Sequence, residues 1–200
     1  MRNRRSLIKS KEKHSTNRIT VSTLYDDVNE NVVRVMNELG HSSDLTVRVI
    51  ESPHQKTLRA AIIHLDGLAD DSIINENIVD PLIQWLKEND QVLTFKEEQT
   101  SHIFTVSQLT VVENWQEFVS AVLTGDTAVL LNGSPKAIIA STKKMQSRAI
   151  TEPSSQTVIR GPKDSFTENL RTNTSLIRAR IQNPNVRLES MKVGKSLKPM

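Results

Sequence analysis

Cysteine is absent from this 200-residue chain. That excludes disulfides, thiolate metal sites and a cysteine nucleophile, and it fits a reducing compartment. Glycine is sparse, and the six present are scattered, with no phosphate-cradling loop or dinucleotide fingerprint among them. Aromatic residues make up only 4%. No stretch approaches the roughly 18 uninterrupted apolar residues of a membrane span. The basic N-terminus lacks the apolar run of a secretory signal, so the chain as it stands is expected to be soluble.

Catalytic constellations are missing as well. His14, His41, His54, His64 and His102 show no paired helical spacing of the kind that metal ligands adopt. His64, inside an apolar strand, reads as a hydrogen-bonded core histidine. Asp66, Asp70 and Asp71 read as turn and helix-cap chemistry. Ser134 follows Gly133 in a hairpin turn, not in a nucleophile elbow. No enzymatic activity, no cofactor and no metal are expected.

The formal charge of +3 is unevenly distributed. Residues 1–20 carry seven basic side chains and one acid, which leaves the body at a net charge of about −3. The arm, 1–20, is expected to be disordered. A basic arm can also touch nucleic acid, but almost no aromatic residue lies near it to stack on bases.

Periodicity then lays out the body. Leu24, Val28, Val32, Val35 and Leu39 make one apolar stripe and predict a helix over 22–39, capped by Ser22 and stopped at Gly40. Strands are predicted at 45–50 and 58–65. A helix capped by Asp70 or Asp71 should follow, broken or kinked at Pro81, whose ring removes a hydrogen bond and clashes one turn back. Extended pieces are predicted at 103–106 and 109–112. Asn114 and Glu117 begin another helix, and the turn Asn132-Gly133-Ser134-Pro135 joins a hairpin. The order implies an α/β fold (α+β possible), a small mixed sheet flanked by helices, over residues 21–150. A connecting strand–helix–strand segment is expected over 151–194, its helix starting at a Ser165 capping box and its last strand near Val186–Met191. The final residues, 195–200, look unstructured.

The densest unusual segment is 160–187, where arginines alternate with Asn and Thr. Such a helix is either a solvated face or an interface, because arginine forks suit carboxylates between subunits. The run Arg160-Gly161-Pro162-Lys163-Asp164-Ser165-Phe166-Thr167-Glu168-Asn169-Leu170-Arg171-Thr172-Asn173-Thr174-Ser175-Leu176-Ile177-Arg178-Ala179-Arg180-Ile181 resembles the hallmark of the A-subunits of spore germinant receptors. The hairpin at 123–133, Arg148–Pro153 and Asn183–Glu189 resemble further parts of the same pattern, which is specific from about Asn114 to Gly194.

That resemblance implies a non-catalytic soluble domain acting in receptor assembly and relay of the nutrient signal. It implies B- and C-subunits as partners, a homo-oligomer in the full receptor, and a place at the inner spore membrane through a membrane domain not contained in these residues. Arg160, Gly161, Pro162, Phe166, Arg171, Asn173 and Arg178 are the expected interaction residues. Phe166, Leu170, Ile177 and Ile181 should pack on their own domain or on the adjacent copy, while the Arg/Asn/Thr side meets a neighbouring subunit. Two other readings are a nutrient-binding α/β module and a nucleic-acid-binding protein that uses the basic arm.

Overall fold

The structure is a computed structural model that describes residues 22–52, 59–88, 102–144 and 166–191. The expected basic arm, the extended piece at 157–160, the Ser165 cap and the tail at 195–200 lie outside these residues.

Five strands form one sheet in the order β1-β2-β4-β5-β3. They are β1 (Leu45–Glu51), β2 (Arg59–Leu65), β3 (Leu109–Val112), β4 (Thr127–Leu131) and β5 (Ala137–Ala140). All four pairings are antiparallel, so the α/β class holds but the sheet is not mixed. No strand crosses over to a parallel neighbour, because β1 runs antiparallel into β2, β4 turns back as β5, and β3 joins the far edge of β5. The alternation of residues sorts the core onto two faces. Ala61, Ile63 and Leu65 of β2 pack with α1 (Val28–Glu38) and α4 (Trp115–Leu123). Ala60 and Ile62 pack on the other face with α2 (Asp71–Ile74) and α3 (Asp80–Glu88). Helices therefore cover both faces, and β2, β4 and β5 are buried between them.

Local chemistry explains where the helices start. α1 begins at Val28 and not at Ser22, because Asp27 caps it and accepts from the amides of Asn29 and Glu30. The residues before it are occupied elsewhere: Thr23 bridges to Asn114, and the Trp115 amide donates to the Ser22 carbonyl. Asn114 caps α4 as its spacing predicts, accepting from the amides of Gln116 and Glu117. Gly40 closes α1 in the left-handed conformation, φ 59°.

Pro81 neither breaks nor ends its helix. A π-helical turn, Asn75–Val79, precedes it and α3 continues through it. A proline removes one hydrogen bond to the carbonyl four residues back and crowds it. Here that carbonyl belongs to Asn77, and it accepts instead from the Thr105 amide at 3.4 Å. Residues 104–106 are consequently used as a loop against the helix and form no strand.

The segment 166–191 holds one helix, α5 (Leu170–Arg180), capped by Asn169. Asn173 fixes the turn in front of it, accepting from the Thr167 amide and donating to the Thr167 carbonyl, both at 2.7 Å. These two Asn side chains set the start at Leu170. The final strand expected near Val186 does not form; Leu188 instead makes two bonds to the turn before β1, from its amide to Ser42 Oγ and from the Ser43 amide to its carbonyl.

Candidate functional site: the docked arginine helix and the cavity beside it

α5 lies on the domain by its polar side. Arg178 is 1% exposed. Its Nε donates to Asp44 Oδ2 at 2.7 Å, and its Nη2 donates to Asp44 Oδ1 at 3.0 Å and to Ser42 Oγ at 2.9 Å. Ser42 donates in turn to Asp44 Oδ1 at 2.6 Å and accepts from the Leu188 amide. One buried hydroxyl thus spends its donor and both lone pairs on joining the segment to the turn before β1. Such a two-pronged, water-excluded pair is among the stronger charge-assisted contacts, but only while both partners are present.

Arg171, one end of the same helix away, is half exposed and bridges two carboxylates. Its Nη2 donates to Asp66 Oδ1 and, at 2.5 Å, to Asp71 Oδ2. The hydrogen bond to Asp71 leads the causes that raise its pKa above the ordinary arginine value. Gly67 makes this approach possible: its φ is 84°, and a Cβ there would come within 3.3 Å of the Ser175 Cβ and 3.4 Å of the Arg171 carbonyl oxygen.

The helix therefore meets its own domain through its arginine side, the side expected to face a neighbouring subunit. Leu176 and Arg178 are buried, whereas Phe166 is 70% exposed, Leu170 75% and Ile181 48%. Of the expected interaction residues, Arg171, Asn173 and Arg178 are brought to the docked side or to its turn, and Phe166 stands outside. Arg160, Gly161 and Pro162 lie outside the described residues.

Beside Arg171 is a cavity of about 220 Å³ between the edge strand β1 and α2, lined by residues that include Thr46, Arg48, His64, Asp66, Asp71 and Asn75. It exists because the apolar layer under α2 and α3 draws on β2, β4 and β5 but takes only Ile50 from β1. His64 is a buried strand histidine, as expected, but it is not a satisfied one. Its Nδ1 has no hydrogen-bond partner, and its Nε2 lies 4.0 Å from Asp71 Oδ1. Ser42 and Asp44 were invisible as site residues in the sequence, since the arginine they share lies 136 and 134 positions away. Asp70 is the helix cap that the sequence implied; Asp66 and Asp71 are the arginine's acceptors. Among the described residues no cluster of three or more His, Cys, Asp or Glu side chains could hold a metal ion.

Burial pushes the His64 pKa below its ordinary 6.5, against the opposing pull of Asp71 and Asp66. The native ring is then neutral where the unfolded ring begins to protonate. Below about pH 6.5 the unfolded state binds more protons, so stability falls with falling pH until the lowered native pKa is passed. Melting temperature should decline across that window, and His64→Gln should flatten the decline. An unchanged slope in the variant would contradict the assignment.

A five-stranded antiparallel sheet covered on both faces, with an arginine helix strapped across one end, defines a non-repetitive α/β module whose distinctive feature is the docked segment. The family model described as "Bacillus/Clostridium GerA spore germination protein" matches residues 33–199, and the chain belongs to that family. It is 34% identical over 165 residues to spore germination protein KA of Bacillus subtilis (strain 168), covering 82% of this chain and 30% of that protein. Against spore germination protein B1 of the same organism it is 30% identical over 175 residues, covering 86% and 35%. The crystal structure of the N-terminal domain of the A subunit of the Bacillus megaterium spore germinant receptor GerK3 superposes with a TM-score of 0.66 at 25% identity, over 88% of this chain and 63% of that one. The chain spans about a third of the length of these curated relatives.

Proposed function

We propose that this chain is a non-catalytic domain of a spore germinant receptor A-subunit that works in receptor assembly and in relay of the nutrient signal. Residues 21–150 form the first α/β subdomain and 151–194 the connecting segment. The observation that carries this reading is the outward face of α5. Leu170 stands exposed at the start of a helix that Arg171 and Arg178 hold in place, with Phe166 exposed in the turn before it and Ile181 exposed at its C-terminal cap. Exposed large apolar side chains grouped on one element mark contact surfaces, and aromatic and aliphatic anchors dominate interface energies.

Arg171, Asn173 and Arg178 act here as positioning residues, and Phe166 with its apolar neighbours makes the contact. Arg160, Gly161 and Pro162, which precede the helix in sequence, belong to the same proposed interaction segment. The contact is with a neighbouring subunit of the receptor, either an adjacent copy or a B- or C-subunit, at the inner spore membrane. Among the described residues no helix is long and apolar enough to cross a membrane.

The test is the pair Phe166→Ser and Leu170→Ser in the full-length receptor. Both positions are exposed, so the domain should keep its melting temperature; surface changes usually shift stability by only about 0.5 kcal/mol. Receptor level in spores and nutrient-triggered germination should fall. Normal level and normal germination in the double variant would overturn the proposal.

A further inference from the structure

β1, with seven residues, and β3, with four, are the outer strands of the sheet. In an antiparallel pair alternate residues aim their backbone groups at the partner strand, and the others aim them away. The Asp66 amide donates to the Asp44 carbonyl, so these two form a hydrogen-bonded pair in the register that continues as Leu45↔Leu65. Thr46, Arg48 and Ile50 therefore turn their amides and carbonyls to β2, and Leu45, Val47, Val49 and Glu51 turn theirs outward. The far side of β2 follows the same alternation, with Arg59 accepting from the Asn132 amide. The start of the outer row is occupied: the Leu45 amide donates to the Ser42 carbonyl, and the Ser43 amide to Leu188. Beyond it Val47, Val49 and Glu51 present amides and carbonyls that no described residue meets. Such a row is a template for another strand. Apolar surface lies beside it. Val49 is 43% exposed and Val33 of α1 57%. Val49 shares its side of β1 with Leu45 and Val47, which pack in the layer of α1. Arg59 bonds Glu51 at 2.7 Å and Asn29, one turn before Val33, at 3.0 Å, so Val33 and the open edge lie on one flank.

We propose that β1 pairs with the β1 of a second copy of this chain, antiparallel and centred on Val49, joining the two sheets into one. A two-fold axis at Val49 sets Val49 against its own copy and Val47 against the second copy's Glu51. All of these are outward-facing positions, so each opposed pair exchanges two backbone bonds, about six in total. The neighbouring registers are worse. Centred on Arg48, two guanidiniums stand directly opposite, which is destabilising. Centred on Val47, the second copy's Glu51 falls on Ser43, whose amide already bonds Leu188. Centred on Ile50, Val47 is set against Pro53, which has no amide to donate. The Val49 register places Arg48 opposite Ile50 and sets no charge directly against its like. It covers both Val49 side chains and brings the Val33 flanks of the two α1 helices to the same side of the seam, which takes exposed apolar surface out of water. Because the same patch serves both copies, the contact closes as a pair. One strand pair lies at the small end of interfaces, under about 1,200 Å², so free chains associate weakly. The contact is separate from Phe166 and Leu170 and does not rest on their role.

Sedimentation equilibrium of the chain tests it and should show a monomer–dimer equilibrium with a dissociation constant on the order of 0.1 mM. Val49→Lys sets two ammonium groups opposite each other at an exposed position; it should weaken the association about tenfold and leave the melting temperature unchanged. The absence of cysteine gives a second measurement. In the proposed pair the two Val49 Cα atoms stand about 5.5 Å apart, within disulfide reach. The two Val47 Cα atoms are four residues out of register, about 14 Å apart. Val49→Cys should therefore oxidise to a covalent dimer much faster than Val47→Cys, and a mixture of Val47→Cys and Glu51→Cys should cross-link between the two variants. Phe166→Ser with Leu170→Ser should dimerise like the parent chain, which separates this contact from the outer face of α5. The proposal is overturned if the chain stays monomeric at millimolar concentration, if Val49→Lys associates like the parent, if Val47→Cys cross-links as fast as Val49→Cys, or if the Phe166 and Leu170 variant loses the association.

Discussion

Arg178→Met is expected to release α5 from the domain. The substitution leaves the Asp44 carboxylate and the Ser42 hydroxyl without their partner in a site that is otherwise closed to water: Asp44 is 7% exposed and Ser42 4%. Removing one member of a buried pair costs about 3–5 kcal/mol, mostly from the charge left behind. The chain has a cheaper response than global unfolding. It can undock the segment, so that Asp44 regains water, while the two apolar layers around the sheet stay packed. Hydrogen exchange should therefore show lost protection in Leu176–Arg180 with little change in β2 and β4. Replacing both partners, Arg178→Met with Asp44→Leu, should restore much of the protection, because an apolar pair of similar volume leaves no buried charge. Equal protection of α5 in wild type and in Arg178→Met would mean that the pair does not hold the helix.

Phe118→Ala should act on the whole domain instead. Phe118 is fully buried on α4 and stacks on Trp115 with ring centroids 5.1 Å apart. It belongs to the layer in which α1 and α4 meet the sheet. Truncating a buried phenylalanine costs about 3–5 kcal/mol through lost transfer energy and the cavity that remains. For a domain of this size that corresponds to a fall of about 10 °C in melting temperature. Calorimetry should show one transition moved down with its cooperativity retained. A shift of less than about 3 °C would mean that the layer relaxes into the space. The two variants separate two kinds of cohesion, a local charged strap and a shared apolar layer.

The local elements were legible because their causes are local. Asn114 before α4 and Asp70 before α2 cap through amides two and three residues away. The 127–140 hairpin follows from apolar runs on either side of a turn with Gly133 at φ 83°. The motif from Arg160 to Ile181 carries the family resemblance within one continuous run. Other readings failed where two local signals competed. The Ser22 start lost to Asp27, whose carboxylate reaches two amides. The helix expected from Ser165 begins at Leu170, because Asn173 ties down the turn at Thr167. With the first turn of that helix gone, Phe166 no longer shares a helical stripe with Ile177 and Ile181, and the single apolar edge drawn through them loses its basis.

What the sequence determined by itself was the class, the approximate elements and the family, since periodicity, capping and motif all act within a few residues of one another. Tertiary structure decided which way each element faces. Arg178 and Asp44 are 134 positions apart, and Arg171 and Asp71 are 100 apart. An arginine on a helix looks the same in sequence whether it meets water, a neighbouring subunit or a buried carboxylate of its own chain. The desolvation that distinguishes these cases depends on what covers the side chain. The same holds for His64, whose burial and missing partner arise from a helix that covers β2 but stops short of β1. It holds for Pro81 too, kept within its helix because the amide of Thr105 bonds the carbonyl that the proline cannot reach.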